Sequence, residues 1–152
     1  MKSVLFVCLG NICRSPMAEV IFSHEIDRGN LNFTCDSAGT SAVHAGEKAD
    51  LRMRDSAKQR GYDLESIRSR QFKQNDFEKF DYILVMDESN YRNIRDLSNR
   101  DEDLNKVFLI TDYCTEEKAS EVPDPYYGGE NGFFEVIDIL EDAIKGFISE
   151  NK

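Results

Sequence analysis

The sequence predicts a doubly wound α/β fold built as one domain over residues 1–152. Three observations carry that expectation. Val4-Leu5-Phe6-Val7-Cys8, Tyr82-Ile83-Leu84-Val85-Met86 and Val107-Phe108-Leu109-Ile110 are short continuous apolar runs, the pattern of strands covered on both faces. Segments with helical spacing lie between and after them. The length suits one well-formed core and is too short for two ordinary domains. Strands alternating with helices imply right-handed crossovers and a ligand site beyond the carboxyl ends of the strands.

Taken in order, Val4 to Cys8 forms the first strand and runs into the segment Cys8 to Ser15. Ala18, Ile21, Phe22 and Ile26 then share one helical face, with Ser15 as N-cap, Pro16 at the first helical position and Gly29 as the stop. Leu31, Phe33 and Cys35 alternate with Asn32 and Thr34, as a strand with one better-covered face does. Ala49, Met53 and Ala57 mark a second helix that ends before Gly61. The runs at 82–86 and 107–110 join the first as three central parallel strands. No periodicity is visible from about Thr111 to Gly132, and loops of that length in compact domains are usually functional or disordered. Phe133, Val136, Ile137, Leu140, Ile144, Phe147 and Ile148 keep a three-to-four residue spacing, a last helix with Asn131 as its N-cap.

Composition removes several function classes. The chain has 29 acidic and 19 basic residues and a net charge of −10, opposite to the basic footprint of a nucleic-acid binder. Met1-Lys2-Ser3 precedes an apolar run that stops before Gly10, too short for a signal peptide, and no later stretch is apolar enough to span a bilayer. The expectation is a cytoplasmic protein without membrane or nucleic-acid partners. Cys8, Cys13, Cys35 and Cys114 lack paired CxxC spacing and a nearby His pair, which points away from a zinc site and a disulfide scaffold and towards reduced thiols.

The candidate chemistry sits after the first strand. Cys8-Leu9-Gly10-Asn11-Ile12-Cys13-Arg14-Ser15-Pro16 joins a strand to a helix amino terminus, where inward N–H groups and the helix dipole make a cradle for a phosphate dianion without a metal or cofactor. The same field favours a thiolate at Cys8, the form in which cysteine attacks, and the Ser15 hydroxyl can stabilise it further. Arg14 can return across the loop and grip two phosphoryl oxygens with its planar fork. A bare Cys-x5-Arg match is weak, and its ordinary reading is a buried cysteine ending a strand and a solvent arginine opening a helix. The preceding strand, Gly10, Asn11, Arg14-Ser15-Pro16 and the following helix together favour the functional reading. Asp124 lies in Val122-Pro123-Asp124-Pro125-Tyr126-Tyr127-Gly128-Gly129, whose prolines stiffen and whose glycines bend the chain. One carboxyl group there can protonate a phenolate leaving group and then deprotonate water. Tyr126 and Tyr127 can form a wall for a substrate phenyl ring, although adjacent surface tyrosines are more often ordinary.

The segment Val7 to Glu19 closely resembles the signature of low-molecular-weight protein tyrosine phosphatases. Asp36-Ser37-Ala38-Gly39-Thr40, Phe80 to Asn90 and Asp124-Pro125-Tyr126-Tyr127-Gly128 look like the family's other landmarks in the same order. The resemblance implies a four-stranded parallel sheet of flavodoxin-like topology with helices on both faces. It also implies hydrolysis of phosphotyrosine and small aryl phosphates through a phosphocysteine at Cys8; a monomer is expected, although the residues leave oligomeric state open. Arg14 would bind phosphate, Asp124 would be the acid, and Asn11, Ser15 and Ser37 would support the loop. Cys13 matches a second loop cysteine able to form a reversible disulfide with the nucleophile, a reading that stands level with that of a small residue packed behind the loop. Two positions depart from the pattern. Ile67 stands where many relatives carry a histidine bonded to the loop network, and Val43-His44 stands where many place an aromatic residue at the rim. Val43 and His44 are therefore expected to form a less aromatic part of the substrate wall opposite Tyr126 and Tyr127, with a solvated loop residue as the favoured reading of His44. The rival readings are a thiol-dependent arsenate reductase, which needs further relay cysteines that Cys35 and Cys114 do not resemble, a catalytically silent phosphotyrosine-binding module, and a broad acid phosphatase.

Overall fold

The computed structural model describes residues 1–129 and 131–152. Its elements are β1 (Lys2–Cys8), α1 (Arg14–Gly29), β2 (Phe33–Gly39), α2 (Leu51–Gln59), α3 (Asp76–Lys79), β3 (Tyr82–Val85), α4 (Glu88–Leu97), β4 (Val107–Leu109) and α5 (Asn131–Asn151). The strands form one sheet in the order β2-β1-β3-β4, every pair parallel. The fold class read from the sequence is therefore the one observed.

The period-two geometry of β1 sorts its apolar run between two cores. Val4, Phe6 and Cys8 face α1, α2 and α5, in a cluster with Met17, Phe22, Met53 and Phe147. Leu5 and Val7 face the opposite side, with Phe72, Phe77, Phe80 and Ile94. Both faces of the strand are covered, which is why its sequence shows no alternation.

The placement of β4 corrects the expectation of three central strands, because β1 and β3 are central whereas β4 is an edge. A continuous apolar run reports burial, not the number of neighbouring strands. Ile110 is fully buried beyond the strand end, while Phe108 is 36% exposed on the edge. The strand read at Leu31–Cys35 runs instead from Phe33 to Gly39, so its inner half lies in the small and polar residues Asp36 to Gly39.

Helix ends differ from their sequence readings in instructive ways. Helix α1 starts at Arg14 with Cys13 as N-cap, so Ser15 is not the cap and Pro16 is the third helical residue. A first-turn proline forfeits nothing there, since the first intrahelical bond is made by Met17 N–H to the Cys13 carbonyl. Gly29 is the last helical residue, and Asn30 takes the left-handed position with φ 49°, a conformation asparagine tolerates. Helix α2 is capped by Asp50, which accepts from Arg52 N–H, and Gly61 follows it with φ +87° as its spacing predicts. Helix α5 already includes Asn131, so this residue is helical rather than the cap. Gly146 in α5 lies so close to the Tyr113 carbonyl that a Cβ would collide with it, a glycine kept for close approach.

Helices α3 and α4 escape periodicity analysis because they bury few apolar side chains. In α4 only Asn90 and Ile94 are buried, and the helix is held at its start by a capping box between Asp87 and Asn90. No described helix is long and apolar enough to cross a membrane.

Candidate active site

The segment from Leu9 to Cys13 wraps around the carboxyl end of β1, and its carbonyl groups settle its conformation. Those of Cys8 and Leu9 accept from Thr40 and Ser41 N–H, that of Ile12 from Asp50 N–H, that of Gly10 from Ser69 Oγ and that of Cys13 from Met17 N–H. With the carbonyls turned outward to the scaffold, the N–H groups are turned inward, where they and the first turn of α1 make an anion cradle. Asn11 N–H points at Cys8 Sγ, 3.3 Å away. Asn11 adopts φ 57°, the left-handed region that asparagine visits more readily than most residues.

Gly39 makes this wrap possible. A Cβ on Gly39 would stand 2.7 Å from the Leu9 carbonyl oxygen and 3.0 Å from Asn11 N, both backbone atoms that cannot swing away. Gly39→Ala is therefore expected to displace the loop, lowering the unfolding free energy by about 1–3 kcal/mol and weakening phosphate binding. Denaturant titration and phosphate protection against alkylation of Cys8 would check this, and an unchanged pair of values would refute the packing argument.

A buried polar network supports the loop from below. Asn11 Nδ2 donates to Ser15 Oγ at 2.7 Å and to Ser37 Oγ at 3.0 Å, while Asn11 Oδ1 accepts from Arg70 N–H at 3.0 Å. Ser15 Oγ lies 3.0 Å from Cys8 Sγ. A hydroxyl has one hydrogen, and with Asn11 as donor to Ser15 that hydrogen can go to the sulfur at 3.0 Å or to the Ala38 carbonyl at the longer distance of 3.4 Å. Freed from helix capping, Ser15 thus serves the cysteine. Ile67, in place of a histidine, makes no side-chain hydrogen bond, and Arg70 N–H and Ser69 Oγ meet Asn11 and Gly10 instead.

Arg14 is 2% exposed. Its Nη1 donates to Asp87 Oδ2 at 2.7 Å and to the Val122 carbonyl at 3.0 Å, and its Nη2 lies 3.5 Å from Asp124 Oδ2. Burial opposes its charge, but the neighbouring Cys8 sulfur, Asp87 and Asp124 outweigh it, so the guanidinium is held charged with its pKa shifted upward. Sequence reasoning assigned Asp87 no role beyond a landmark. The available signal was its position between β3 and α4, where the N-cap aspartate of a strand-to-helix turn faces the same sheet end as Cys8.

Asp124 stands on the unpatterned loop, which the structure shows to be anchored. Val122 N–H donates to the Met86 carbonyl, Thr111 Oγ1 donates to the Ser120 carbonyl, and Asp142 accepts from the N–H groups of Thr115, Glu116 and Glu117. Asp124 Oδ1 accepts from Tyr126 N–H at 3.0 Å, which leaves Oδ2 directed at Arg14.

Around these groups lies an open cleft lined by the loop, Asp124, Ser41, Val43, His44, Tyr126 and Tyr127. His44 is not a freely solvated residue. Its ring sits 6.2 Å from that of Tyr126, lies beside Gly10 and hydrogen-bonds Glu47 through Nδ1, which puts an aromatic ring on the side expected to be less aromatic. Arg52 lies over the Tyr126 ring at 5.2 Å and donates to the Tyr126 carbonyl, steadying the opposite wall. Cys13 also lines the cleft, and burial followed by the charge of Asp50 pushes its thiol up. Cys35 and Cys114 lie outside the cleft lining, each pushed up to about 11, chiefly by burial. Among the described residues no group of three or more His, Cys, Asp or Glu side chains is arranged to hold a metal.

Comparison with known proteins places this geometry among relatives. The family model described as "Low molecular weight phosphotyrosine protein phosphatase" matches residues 3–152. A low molecular weight phosphotyrosine protein phosphatase of Schizosaccharomyces pombe is 41% identical, covering 95% of this chain and 94% of that one. A solved protein tyrosine phosphatase from Entamoeba histolytica superposes with a TM-score of 0.94 at 49% identity, covering 99% of this chain and 96% of that chain. A solved structure titled Drosophila arginine phosphatase superposes with a TM-score of 0.91 at 32% identity, covering 100% and 98%.

Proposed function

This chain belongs to the low molecular weight phosphotyrosine protein phosphatase family, and from that premise we propose that Cys8 is the nucleophile, Arg14 the phosphoryl-binding group and Asp124 the general acid and then base. The observation that carries the assignment is the convergence of inward loop N–H groups, Cys8 Sγ, the charged Arg14 and Asp124 on one cleft.

In the first step Cys8 Sγ attacks phosphorus while the bond from phosphorus to the phenolic oxygen breaks. Asp124 gives its proton to that oxygen, and the loop N–H groups and Arg14 hold the charge on the three equatorial oxygens. In the second step water attacks the phosphocysteine, Asp124 takes the water's proton, and phosphate leaves as the thiolate is restored. Asp87 and the Val122 carbonyl occupy one edge of the Arg14 guanidinium, so the fork enters the reaction already oriented.

The substrate side chain is read from the walls. Leu9, Ile12, His44, Tyr126 and Tyr127 offer apolar and aromatic surface that a phenyl ring fills entirely, whereas the guanidinium of a phosphoarginine can stack on a tyrosine but sets its N–H donors against Leu9 and Ile12, which accept nothing. The expected result is a kcat/KM at least ~10²-fold higher for a phosphotyrosine peptide than for a phosphoarginine peptide of the same flanking sequence. Equal or inverted values would overturn the reading of the walls.

A further inference from the structure

Glu19 stands on the second turn of α1, outside the cleft lining, yet it terminates the hydrogen-bond chain that begins at the cysteine sulfur. Its Oε1 accepts from Ser37 Oγ at 2.6 Å, Ser37 Oγ accepts from Asn11 Nδ2 at 3.0 Å, the same amide donates to Ser15 Oγ at 2.7 Å, and Ser15 Oγ lies 3.0 Å from Cys8 Sγ. The directions are fixed by counting hydrogens. The amide nitrogen can only donate, so Ser37 accepts from it and has a single hydrogen left for Glu19.

The one cation acting on Glu19 among the described residues is engaged elsewhere. Arg70, the cation facing it from the segment after α2, commits its guanidinium to Asp36 at 3.1 Å and Asp76 at 3.0 Å. Asp36, on β2, adds a like charge, and Cys35 of the same strand meets the Glu19 backbone carbonyl through its sulfur. Among the described residues Glu19 forms no ion pair. We infer that Glu19 is a positioning residue whose ionised carboxylate anchors Ser37 and Asn11, and through them the phosphate loop, and which loosens that anchor when it takes up a proton. Burial in the first place, with Asp36 adding to it against the Ser37 hydrogen bond and Arg70, raises this carboxyl to about 7, so the anchor changes state within the neutral range.

The sign of the accompanying stability effect is opposite to that of a paired carboxylate. A raised folded-state pKa means that the native protein binds this proton more tightly than the unfolded chain, so this group's contribution to stability falls as pH rises from about 4.5 to about 7. The ionised form anchors the loop while it disfavours the fold, a conflict characteristic of residues retained for function.

The inference rests on Cys8 as nucleophile, and its test reads Cys8 separately from turnover. Wild type and Glu19→Gln, which keeps the shape and an acceptor oxygen without the charge, are compared from pH 5 to pH 8. Two rates are followed, aryl phosphate turnover and alkylation of Cys8 by neutral iodoacetamide. The ratio of wild type to variant cancels the pH dependence of the groups that both share. It is expected near one at pH 5 and about three- to tenfold at pH 8, in turnover and alkylation alike, as a charge-assisted hydrogen bond is replaced by a neutral one. Over the same range Glu19→Gln should melt above wild type at pH 8 and with it at pH 5. A ratio that does not change with pH, or a variant that loses activity and melting temperature together, would overturn the inference. Turnover that survives complete alkylation of Cys8 would instead remove the nucleophile assignment beneath it.

Discussion

Cys8→Ser is expected to lower turnover of an aryl phosphate by at least ~10⁴-fold while phosphate still binds. The serine hydroxyl keeps the position but is a far weaker nucleophile at neutral pH, and no neighbouring base replaces the lost thiolate. The cradle does not depend on the sulfur, because it is set by carbonyls bonded to Thr40, Ser41, Asp50 and Ser69 and by the closeness that Gly39 permits. Steady-state kinetics with a chelator present, together with phosphate titration of the variant, separate the two effects. Turnover retained within tenfold of wild type would remove Cys8 from the mechanism, and loss of phosphate binding would show that the sulfur also holds the loop.

Removing the carboxyl group of Asp124 should have the next largest effect, and one that depends on the leaving group. Asp124→Asn is expected to lower kcat by about 10²–10⁴-fold for phenyl phosphate and by a smaller factor for an activated phenol such as 4-nitrophenol, whose phenolate leaves without a proton. Asparagine can still accept from Tyr126 N–H, so the turn at Pro125–Tyr127 is expected to persist. The negative charge beside Arg14 Nη2 is lost, leaving Asp87 as the charged partner of the guanidinium. KM should therefore change far less than kcat. A loss equal for both leaving groups would argue that Asp124 orients Arg14 and carries no proton.

These expectations rest on residues that differed greatly in how visible they were beforehand. Cys8, Arg14 and Ser15 were legible because strand, phosphate loop and helix are contiguous, so one local pattern carries the chain from sheet to cradle. Asp124 was legible only through its turn chemistry, since nothing local says which sheet end a long loop visits. Its position is decided by Val122 pairing with Met86 and by Asp142 holding the loop at 115–117. Asp87 and Glu19 gave still weaker signals. Each is an ordinary acidic residue beside or within a helix, and its importance comes from a partner 73 or 18 residues distant in sequence.

By itself the sequence determined the alternation of strands and helices, the two-faced burial of β1 and the nucleophile loop, because each depends on side-chain periodicity or on backbone chemistry within about fifteen residues. It could not decide that β4 lies at an edge, that α1 begins at Arg14 so that Ser15 turns to the cysteine, or that His44 supplies the ring on the cleft wall. Those outcomes depend on which distant backbone groups satisfy one another. Only the folded chain brings Thr40, Ser41, Asp50 and Ser69 to the carbonyls of Cys8, Leu9, Ile12 and Gly10 and Arg70 N–H to the Asn11 side chain, and only that enclosure turns a short segment with a cysteine and an arginine into a charged cradle with its own supporting network.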